Sequence, residues 1–522
     1  MLMKRRILWL AIAVAVLVIA ARFPRERTLV LLSTNDMHAR IDRFPQLAAA
    51  VEACRDTIDD VVLIDAGDRW TGNPYVDRTS DPGMPIIRLM NRLGYDAATL
   101  GNHEFDHGQA HLGRLIDSME FAVVCANLKS DTCTFPQLPP YTILERGGIR
   151  IGLVGVVTNY EGPGHPAGHA SSFVGLEFPD PQAMAAKYAE ELRPQVDLLV
   201  LLSHMGDDRD EEFLLASVDN ANKVGKEVEH HANEAGKELG HHANEGRKGK
   251  SEPKEKKTGS LYDVVIGGHT HEVRNSVIGG TLLTQTGKNL NNVGATVIRL
   301  RGRKVIDCSF RLVDLSNYDA AESYAAEVVA CQADPELNRA AGRFVNGASQ
   351  LGLAEWIART IAAATRSEVG FYHRGGVRLD TIPAGEVSRA QLYALEPFDT
   401  EVVVSQMTPG ELRRIILAKY NDTCNLKEAH RLDLVATTPY TIVTDAEDRA
   451  VDVRFPQLRE GRSYRIAYND YIFKNYAEVD RANGQVLEGV RVNELLLKAL
   501  GTGQPVEISN RLLQTIEVSD RH

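Results

Sequence analysis

The chain has few cysteines for its length: six in 522 residues, of which the closest two are Cys125 and Cys133. A disulfide scaffold and a zinc site built on a Cys-x-x-Cys pair are therefore excluded as organising features. Cys125 and Cys133 would close a short loop in an oxidising compartment, and the alternative is that both are buried or free thiols.

Positive charge is also in deficit. The chain carries 59 Lys and Arg against 70 Asp and Glu, a formal net charge of −11. A nucleic-acid-binding surface needs a surplus of basic side chains, so nucleic acid is not an expected partner. An anionic substrate would need local positive charge from metal ions or from a few arginines.

Long hydrophobic runs are missing except near the N-terminus, where the basic residues 1–6 precede an uncharged apolar stretch at residues 7–21. This pattern predicts export, through either a cleaved signal peptide or an N-terminal membrane anchor. The run is shorter than the roughly 20 residues of a comfortable membrane-spanning helix, which favours cleavage. Residues 1–27 are therefore separated from the folded domains, and a periplasmic or extracellular location is expected.

From residue 28 to about residue 287, short apolar runs alternate with amphipathic segments, the pattern of an α/β domain. We place this first domain at residues 28–312. Strands are predicted at residues 28–34, 61–64, 96–100, 122–125, 150–157, 198–202, 264–266 and 281–285. Helical spacing occurs at residues 46–55, 85–93, 111–119 and 181–192.

Residues 219–260 interrupt this pattern and contain almost no large apolar side chains. A repeat of 11 residues occurs at 225–235 and again at 236–246, each copy with two adjacent histidines. The composition predicts a surface insertion, either a solvated helix or a disordered segment. The histidine pairs also suggest metal capture, but adjacent side chains on a helix point apart, so the insertion is the favoured interpretation.

A second domain, mixed α+β, is predicted at residues 351–522, after an inter-domain helix and linker at 313–350. The linker has helical spacing at residues 314–331. In the second domain, helices are expected at residues 351–364 and from Thr408 to Tyr420, where Thr408 and Glu411 form a capping box. Strands are expected at residues 368–372, 440–444 and 463–468.

Polar clusters follow five of the predicted strands of the first domain. They are Asn35–His38, Asp65–Asp68, Gly101–Asp106, Ser203–Gly206 and Gly267–His271. Because ligands bind α/β sheets at the carboxyl ends of the strands, we expect all five clusters to meet at one site.

These clusters offer nitrogen and oxygen donors to metal ions, and no thiolate. The donors are Asp36, His38, Asp68, Asn102, His204, His269 and His271. Seven donors are too many for one ion, so two divalent ions that share a carboxylate fit better. Zn²⁺, Mn²⁺, Fe²⁺ and Co²⁺ all accept this donor set.

The motifs Asp-x-His, Gly-Asp, Gly-Asn-His-Glu, a strand-end His and Gly-His-x-His, in this order, resemble those of the calcineurin-like metallophosphoesterases. With a downstream domain, their longer forms resemble the exported 5′-nucleotidase and UDP-sugar hydrolase family. The resemblance implies a metal-dependent hydrolase of phosphoric esters. It also implies a metallophosphoesterase α/β/β/α sandwich followed by a smaller, mixed α+β substrate-binding domain.

The resemblance further implies a role for each residue of the clusters. One metal would be bound by Asp36, His38 and His271, the other by Asn102, His204 and His269, with Asp68 as the bridge. His103 is not a ligand in the family; it would stabilise charge on the phosphoryl oxygens, oriented by Asp106. Glu104 and Asp65 are expected to have supporting roles.

Two segments of the second domain resemble the substrate-binding segments of the same family. Arg378, in Gly375–Arg378, matches an arginine that contacts phosphate or ribose. Phe398, in Glu396–Phe398, matches the first of two aromatic residues that sandwich the base.

The second domain also departs from the family pattern. His373 and Arg374 occupy positions of asparagine and glycine, and Ile472–Tyr476 replaces a Gly-Gly-Asp-Gly segment. Tyr471 is the candidate for the second aromatic residue, with Phe473 as the alternative. For Phe398 and Tyr471, ordinary core packing is the competing interpretation.

The expected activity is hydrolysis of phosphomonoesters, with nucleotides as the expected substrates. Because the second domain departs from the pattern, cyclic nucleotides, UDP-sugars, other phosphoesters and sulfur substrates are alternatives for the same metal centre. A non-catalytic exported binding protein is a third hypothesis, against which the complete ligand set argues.

Overall fold

The computed structural model describes residues 26–131, 135–160, 164–168, 170–219, 260–422 and 432–519. The apolar N-terminal segment, Cys133 and the histidine-containing repeat at 225–246 lie outside the described residues. Within the described ranges, no helix combines the length and the apolar character needed to cross a membrane.

The first domain is built from two six-stranded sheets. Its strands are β1 (Glu26–Thr34), β2 (Val61–Asp65), β3 (Ala97–Ala98), β4 (Ala122–Val123), β5 (Lys129–Ser130), β6 (Tyr141–Arg146), β7 (Ile149–Val157), β8 (Leu176–Glu177), β9 (Leu198–His204), β10 (Val264–Ile266), β11 (Val273–Ile278), β12 (Thr281–Thr286), β13 (Asn292–Arg301) and β14 (Lys304–Asp314). The strand order is β14-β13-β1-β2-β3-β4 in the first sheet and β11-β12-β10-β9-β7-β6 in the second, and β5 and β8 pair with each other in a separate two-stranded sheet.

Apolar residues of both sheets, such as Leu31, Ile64 and Val200, form one buried layer between them. Helices cover the outer face of each sheet, which gives the expected α/β/β/α sandwich. The helices are Phe44–Arg55, Pro74–Asp77, Met84–Leu93, Gln109–Asp117, Pro181–Leu192, residues 207–219 and Glu322–Cys331. Strands β2 and β9 are buried along their whole length, which explains their nearly continuous apolar sequences.

Each of the eight predicted strands and four predicted helices of the first domain is present, most of them with shifted ends. The strand predicted at 96–100 is reduced to Ala97–Ala98, because the chain leaves the sheet early to form the loop that carries Asn102. The long helix predicted at 314–331 is wrong. Asp314 ends β14 and its side chain accepts from Ser316 N, so the helix begins only at Glu322.

The helix Glu322–Cys331 belongs to the first domain by its packing. Its Tyr324 and Val328 are buried in the core between the first sheet and its helices. The ring of Tyr324 lies 6.2 Å from that of Phe44, measured between centroids. The segment predicted as an inter-domain helix therefore closes the outer layer of the sandwich.

The second domain is a mixed sheet between two layers of helices. Its strands are β15 (Ala340–Phe344), β16 (Ala348–Ser349), β17 (Val369–His373), β18 (Thr381–Ile382), β19 (Gly385–Ser388), β20 (Glu401–Met407), β21 (Leu434–Ala436), β22 (Tyr440–Thr444), β23 (Ala450–Arg454), β24 (Tyr464–Asn469), β25 (Gly484–Arg491) and β26 (Gln514–Val518). The central sheet has the order β21-β17-β24-β20-β25. The helices are Gln350–Thr365, Arg389–Leu395, Pro409–Tyr420, Asp470–Asn475 and Val492–Leu500.

The capping box predicted for the helix Pro409–Tyr420 is confirmed. Glu411 N donates to Thr408 Oγ1, and Thr408 N donates to Glu411 Oε2 at 2.7 Å. We expect Thr408→Ala to lower the free energy of unfolding by about 1 kcal/mol, because one N–H at the helix start loses its acceptor. Thermal and urea unfolding of the variant measure the loss. Thr408→Ser keeps the acceptor and should match the wild type, and equal stability of the alanine variant would contradict the prediction.

Candidate metal centre and substrate cavity

The five polar clusters converge where the carboxyl edges of the two sheets meet. Asp36 and His38 follow β1, Asp68 follows β2, and Asn102 follows β3 in the first sheet. His204 is the last residue of β9 in the second sheet, and His269 and His271 follow β10. Each sheet thus contributes part of the donor set, and the seven predicted donors face one another across the junction.

Two groups of donors lie close enough together to hold an ion each. The ligand atoms of Asp36, His38 and His271 lie within 4.8 Å of one another, and so do those of Asp68, His204 and His269. Asn102 Oδ1 lies 3.0 Å from His269 Nδ1, which places the amide oxygen beside the second group. In a third group the ligand atoms of His38, Asp68 and His103 lie equally close together, so Asp68 of the second group is also near His38 of the first.

The imidazole of His204 has the geometry of a metal ligand. Its Nδ1 donates to the carbonyl oxygen of Ala66 at 2.7 Å, which leaves the lone pair on Nε2. Nε2 is buried and lies 3.1 Å from Asp68 Oδ2. Burial disfavours the charged ring, but the Asp68 carboxylate outweighs it and raises the pKa of His204 to about 10. A site that attracts a proton this strongly also attracts a cation.

The imidazoles of His38 and His271 converge in the first group. Their Nε2 atoms are 2.9 Å apart, and His38 Nδ1 donates to the carbonyl oxygen of Thr71 at 3.1 Å. Burial, and next the charge of Arg378, hold the pKa of both rings well below the usual value. Both rings are therefore neutral, which is the form that binds metals.

Five of the seven donors have left-handed backbone conformations, which residues other than glycine rarely adopt. They are Asp36 (φ 49°), His38 (φ 46°), Asp68 (φ 57°), His269 (φ 82°) and His271 (φ 61°). Each such backbone conformation destabilises the folded state by about 1–3 kcal/mol and persists only where the surrounding structure holds it. Residues of this kind concentrate at functional sites.

Glu104 holds one of these strained segments. Its carboxylate accepts hydrogen bonds from the N–H groups of Asp68 and Arg69, both at 2.9 Å, and of Gly101 at 2.5 Å. It thereby ties the loop after β2 to the loop after β3. These contacts are those of a supporting group, not of a metal ligand.

Arg69 is a partner of this site that no sequence motif indicated. Its guanidinium is completely buried, 3.0 Å from Asp65 Oδ1 and 3.6 Å from Glu104 Oε1. It also donates to the carbonyl oxygen of Thr99 at 2.7 Å. Arg69 therefore balances the charge of two buried carboxylates directly beneath the centre. The only signal in the sequence is its position next to Asp68.

His103 lies at the edge of the donor set, with its ring oriented by Asp106. His103 Nδ1 is 2.8 Å from Asp106 Oδ2, and the backbone N–H of His103 donates to Asp68 Oδ1 at 2.9 Å. Burial opposes the charged ring, but the carboxylates of Asp68 and Asp106 outweigh it and raise the pKa of His103. The imidazole can therefore donate a hydrogen bond to an anionic group.

The second domain contributes two of its three candidate residues directly to this centre. Arg378 Nη2 lies 2.9 Å from His38 Nε2, and the ring of Phe398 stacks on that of His103. Tyr471 lines the same inter-domain cavity, which has a volume of about 1250 Å³. Phe398 and Tyr471 are half-buried at the cavity wall, and Tyr471 also packs against the core of the second domain.

The segment that departs from the family pattern builds part of the cavity wall. Tyr471 stacks on His373, with centroids 4.5 Å apart and an interplanar angle of 16°. Burial lowers the pKa of His373 to about 4, so this ring is neutral. The Tyr476 hydroxyl donates to Asp433 Oδ2 at 2.5 Å. Phe473, the alternative to Tyr471, packs over Gly484 and against the same core, but it is not among the residues that line the cavity.

Comparisons with known proteins agree with this architecture. Residues 29–273 match the model of the calcineurin-like phosphoesterase family, and residues 329–481 match that of the 5′-nucleotidase C-terminal domain. Protein UshA of Yersinia enterocolitica is 21% identical over 94% of this chain and 94% of its own. A 5′-nucleotidase of Vibrio parahaemolyticus is 24% identical over 92% and 90%. Endonuclease YhcR of Bacillus subtilis is 25% identical over 86% of this chain, which spans only 37% of the endonuclease.

Solved structures share the fold. A 5′-nucleotidase precursor of Thermus thermophilus superposes with a TM-score of 0.73 at 20% identity, over 95% of this chain and 100% of its own. The sulfate thiohydrolase SoxB of Thermus thermophilus superposes with a TM-score of 0.72 at 16% identity, over 95% and 97%. At these identities the similarity establishes the fold alone.

Residues 29–273 therefore form a domain of the calcineurin-like phosphoesterases, a class of metal-dependent hydrolases of phosphoric esters. Within that class the chain is a 5′-nucleotidase-like member, because it also carries the C-terminal domain of the 5′-nucleotidases. The resemblance and the two-domain fold expected from the sequence are confirmed.

Gly268 offers a test of the donor geometry. A Cβ at this position would lie 2.8 Å from His204 Nδ1 and 3.0 Å from the Ala66 carbonyl oxygen, the two atoms of the hydrogen bond that orients His204. We expect Gly268→Ala to displace the imidazole and to weaken metal binding at least ~10-fold. Elemental analysis after dialysis against graded metal concentrations measures the change.

Gly410→Ala is the matched control, because the nearest atom to a Cβ there is 3.9 Å away. Its metal binding should equal that of the wild type. Unchanged metal affinity in Gly268→Ala would show that the orientation of His204 does not matter for the centre.

Proposed function

We propose that the protein is an exported hydrolase of phosphomonoesters that uses two metal ions and acts on nucleotides. The observation that carries this proposal is the pair of adjacent donor groups, Asp36, His38 and His271 and Asp68, His204 and His269, with Asp68 also close to His38 of the first group. They lie at a cavity that is also lined by His103 and Arg378. Two further parts of the same proposal are the division into a first domain from residue 28 and a second domain up to residue 522, with the helix Glu322–Cys331 packed on the first, and the export of the chain through residues 1–27.

The donor set fits two divalent cations, because it consists of imidazoles, carboxylates and an amide oxygen with no thiolate. Asp36, His38 and His271 would hold one ion, Asn102, His204 and His269 would hold the other, and Asp68 would be shared. When bound, the ions would supply the Lewis acidity that activates water and neutralises the phosphoryl group.

The residues of the chain would bind and orient the phosphoryl group. His103, held by Asp106, donates a hydrogen bond to a phosphoryl oxygen. Arg378 adds a fixed positive charge from the other domain, within hydrogen-bond distance of His38. These groups, together with the cations, would provide the positive charge that an anionic substrate requires on an acidic protein.

Nucleotides are the proposed substrates because two aromatic residues, Phe398 and Tyr471, line the cavity beside the metal centre. Aromatic rings bind planar bases well. The name of the Vibrio parahaemolyticus relative, 5′-nucleotidase, supports the same class.

One observation favours a second candidate, the same centre with another substrate. His373, Tyr471 and Tyr476 form an aromatic wall in place of the family's glycine-rich segment. A cavity with this wall could select cyclic nucleotides, UDP-sugars, other phosphoesters or sulfur substrates instead.

A substrate panel separates these candidates. We expect the metal-loaded protein to hydrolyse 5′-nucleoside monophosphates with kcat/KM at least ~10-fold above that for cyclic nucleotides, UDP-glucose, an S-sulfonate and single-stranded DNA, since aromatic stacking favours a base beside a terminal phosphate. Phosphate release and chromatography measure the products, and chelation with EDTA should abolish them. A different preferred substrate would overturn the nucleotide assignment. No turnover of any substrate with both metal sites filled would overturn the enzymatic proposal.

The role of His103 is tested by replacing it with alanine. We expect His103→Ala to lower kcat by about 10²- to 10⁴-fold, because the hydrogen bond to the reacting group is lost. Metal content should remain at the wild-type level, because His103 is not a ligand in this proposal. His111→Gln is the control and should leave kcat unchanged. His111 lies on a surface helix, and its side chain bonds to the Pro82 carbonyl oxygen. A His103→Ala enzyme with wild-type kcat contradicts the assignment.

A further inference from the structure

Phe398 of the second domain lies against the reacting groups of the first domain. Its ring stacks on the imidazole of His103, with centroids 5.6 Å apart and an interplanar angle of 23°. The guanidinium carbon of Arg378 lies over the same ring, 5.9 Å from its centroid. Both neighbours are groups that we assign to the phosphoryl group, so Phe398 is part of the surroundings in which the ester reacts.

The loop that carries Phe398 is anchored on both sides of the ring. Before it, the buried carboxylate of Glu396 accepts from Thr400 Oγ1 at 2.8 Å. After it, Arg491 donates to the carbonyl oxygen of Asp399 at 2.9 Å, and Asp399 itself has a left-handed φ of 52°. These bonds fix the backbone around the ring, so the stack on His103 is a built feature of the loop.

The imidazole of His103 is held by different partners on its other sides. Asp106 binds Nδ1 at 2.8 Å, and the ring of His38 approaches edge-on, with centroids 5.2 Å apart and planes at 73°. Phe398 stacks on a face of the imidazole, whereas Asp106 binds the edge of the ring at Nδ1. Without the phenyl ring, this face would be open to water and the imidazole would have room to tilt.

We propose that Phe398 is a positioning residue for His103, in addition to any contact with a nucleobase. It keeps the imidazole in its reactive orientation and excludes water from it. This inference rests on the proposed function, because it requires that His103 acts on the phosphoryl group. Its distinctive consequence is that loss of the ring slows the hydrolysis of esters that contain no base.

The experiment compares two substrates with the full-length, metal-loaded enzyme. β-Glycerophosphate has no aromatic group, whereas a 5′-nucleoside monophosphate has a base. We expect Phe398→Leu to lower kcat for β-glycerophosphate at least ~10-fold with little change in KM, because the misoriented imidazole affects the reaction itself. Phe398→Tyr keeps the ring and should restore kcat for both substrates to near the wild-type value.

Phe473→Leu is the matched control, because it removes the same ring from a residue that packs against the core of the same domain. It should leave kcat for β-glycerophosphate unchanged. Metal content and the melting temperature are measured for every variant, and Phe398→Met is the second variant if Phe398→Leu does not fold.

The outcomes are distinct. Wild-type kcat for β-glycerophosphate in Phe398→Leu, with only the KM for the nucleotide raised, would show that Phe398 only stacks the base and would overturn the inference. A wild-type enzyme that hydrolyses neither ester would instead overturn the proposed function, and the inference with it.

Discussion

The carboxylate of Glu104 is the contact on which the rest of the centre depends. It accepts three backbone N–H groups, from Asp68, Arg69 and Gly101, and so joins the loops after β2 and β3. Loss of this acceptor would leave buried donors unsatisfied, at about 1–3 kcal/mol each. The same bonds hold Asp68 in its left-handed conformation, with its carboxylate between the two donor groups. The buried guanidinium of Arg69 makes it possible to keep this carboxylate inside the protein.

Each donor group draws on both sheets of the sandwich. Asp36 and His38 come from the first sheet and meet His271 from the second, and Asp68 meets His204 and His269 in the same way. The centre therefore exists only when the two sheets are packed together. The apolar layer between the sheets thus stabilises the fold and sets the distances between the donors.

The second domain contributes to the candidate metal centre as well as to the outer cavity. Arg378 and Phe398 contact His38 and His103, so side chains of the second domain lie beside the candidate donors of the first. The outer wall is formed differently, by the rings of His373, Tyr471 and Tyr476. The residues beside the candidate metal centre match the family pattern, whereas the outer wall is the part of the cavity in which this chain departs from it.

The sequence by itself determined the donor set, the α/β pattern and the family, because each donor lies in a short motif directly after an apolar strand. Local signals also predicted the cap at Thr408. The tertiary structure alone decided which contacts join distant segments: Glu104 with the loop after β2, Arg69 with two buried carboxylates, and Phe398 with His103. It also chose Tyr471 over Phe473 for the cavity wall and shortened the helix predicted at 314–331. Those outcomes depend on which side chains meet across loops and domains, and residue spacing does not contain that information.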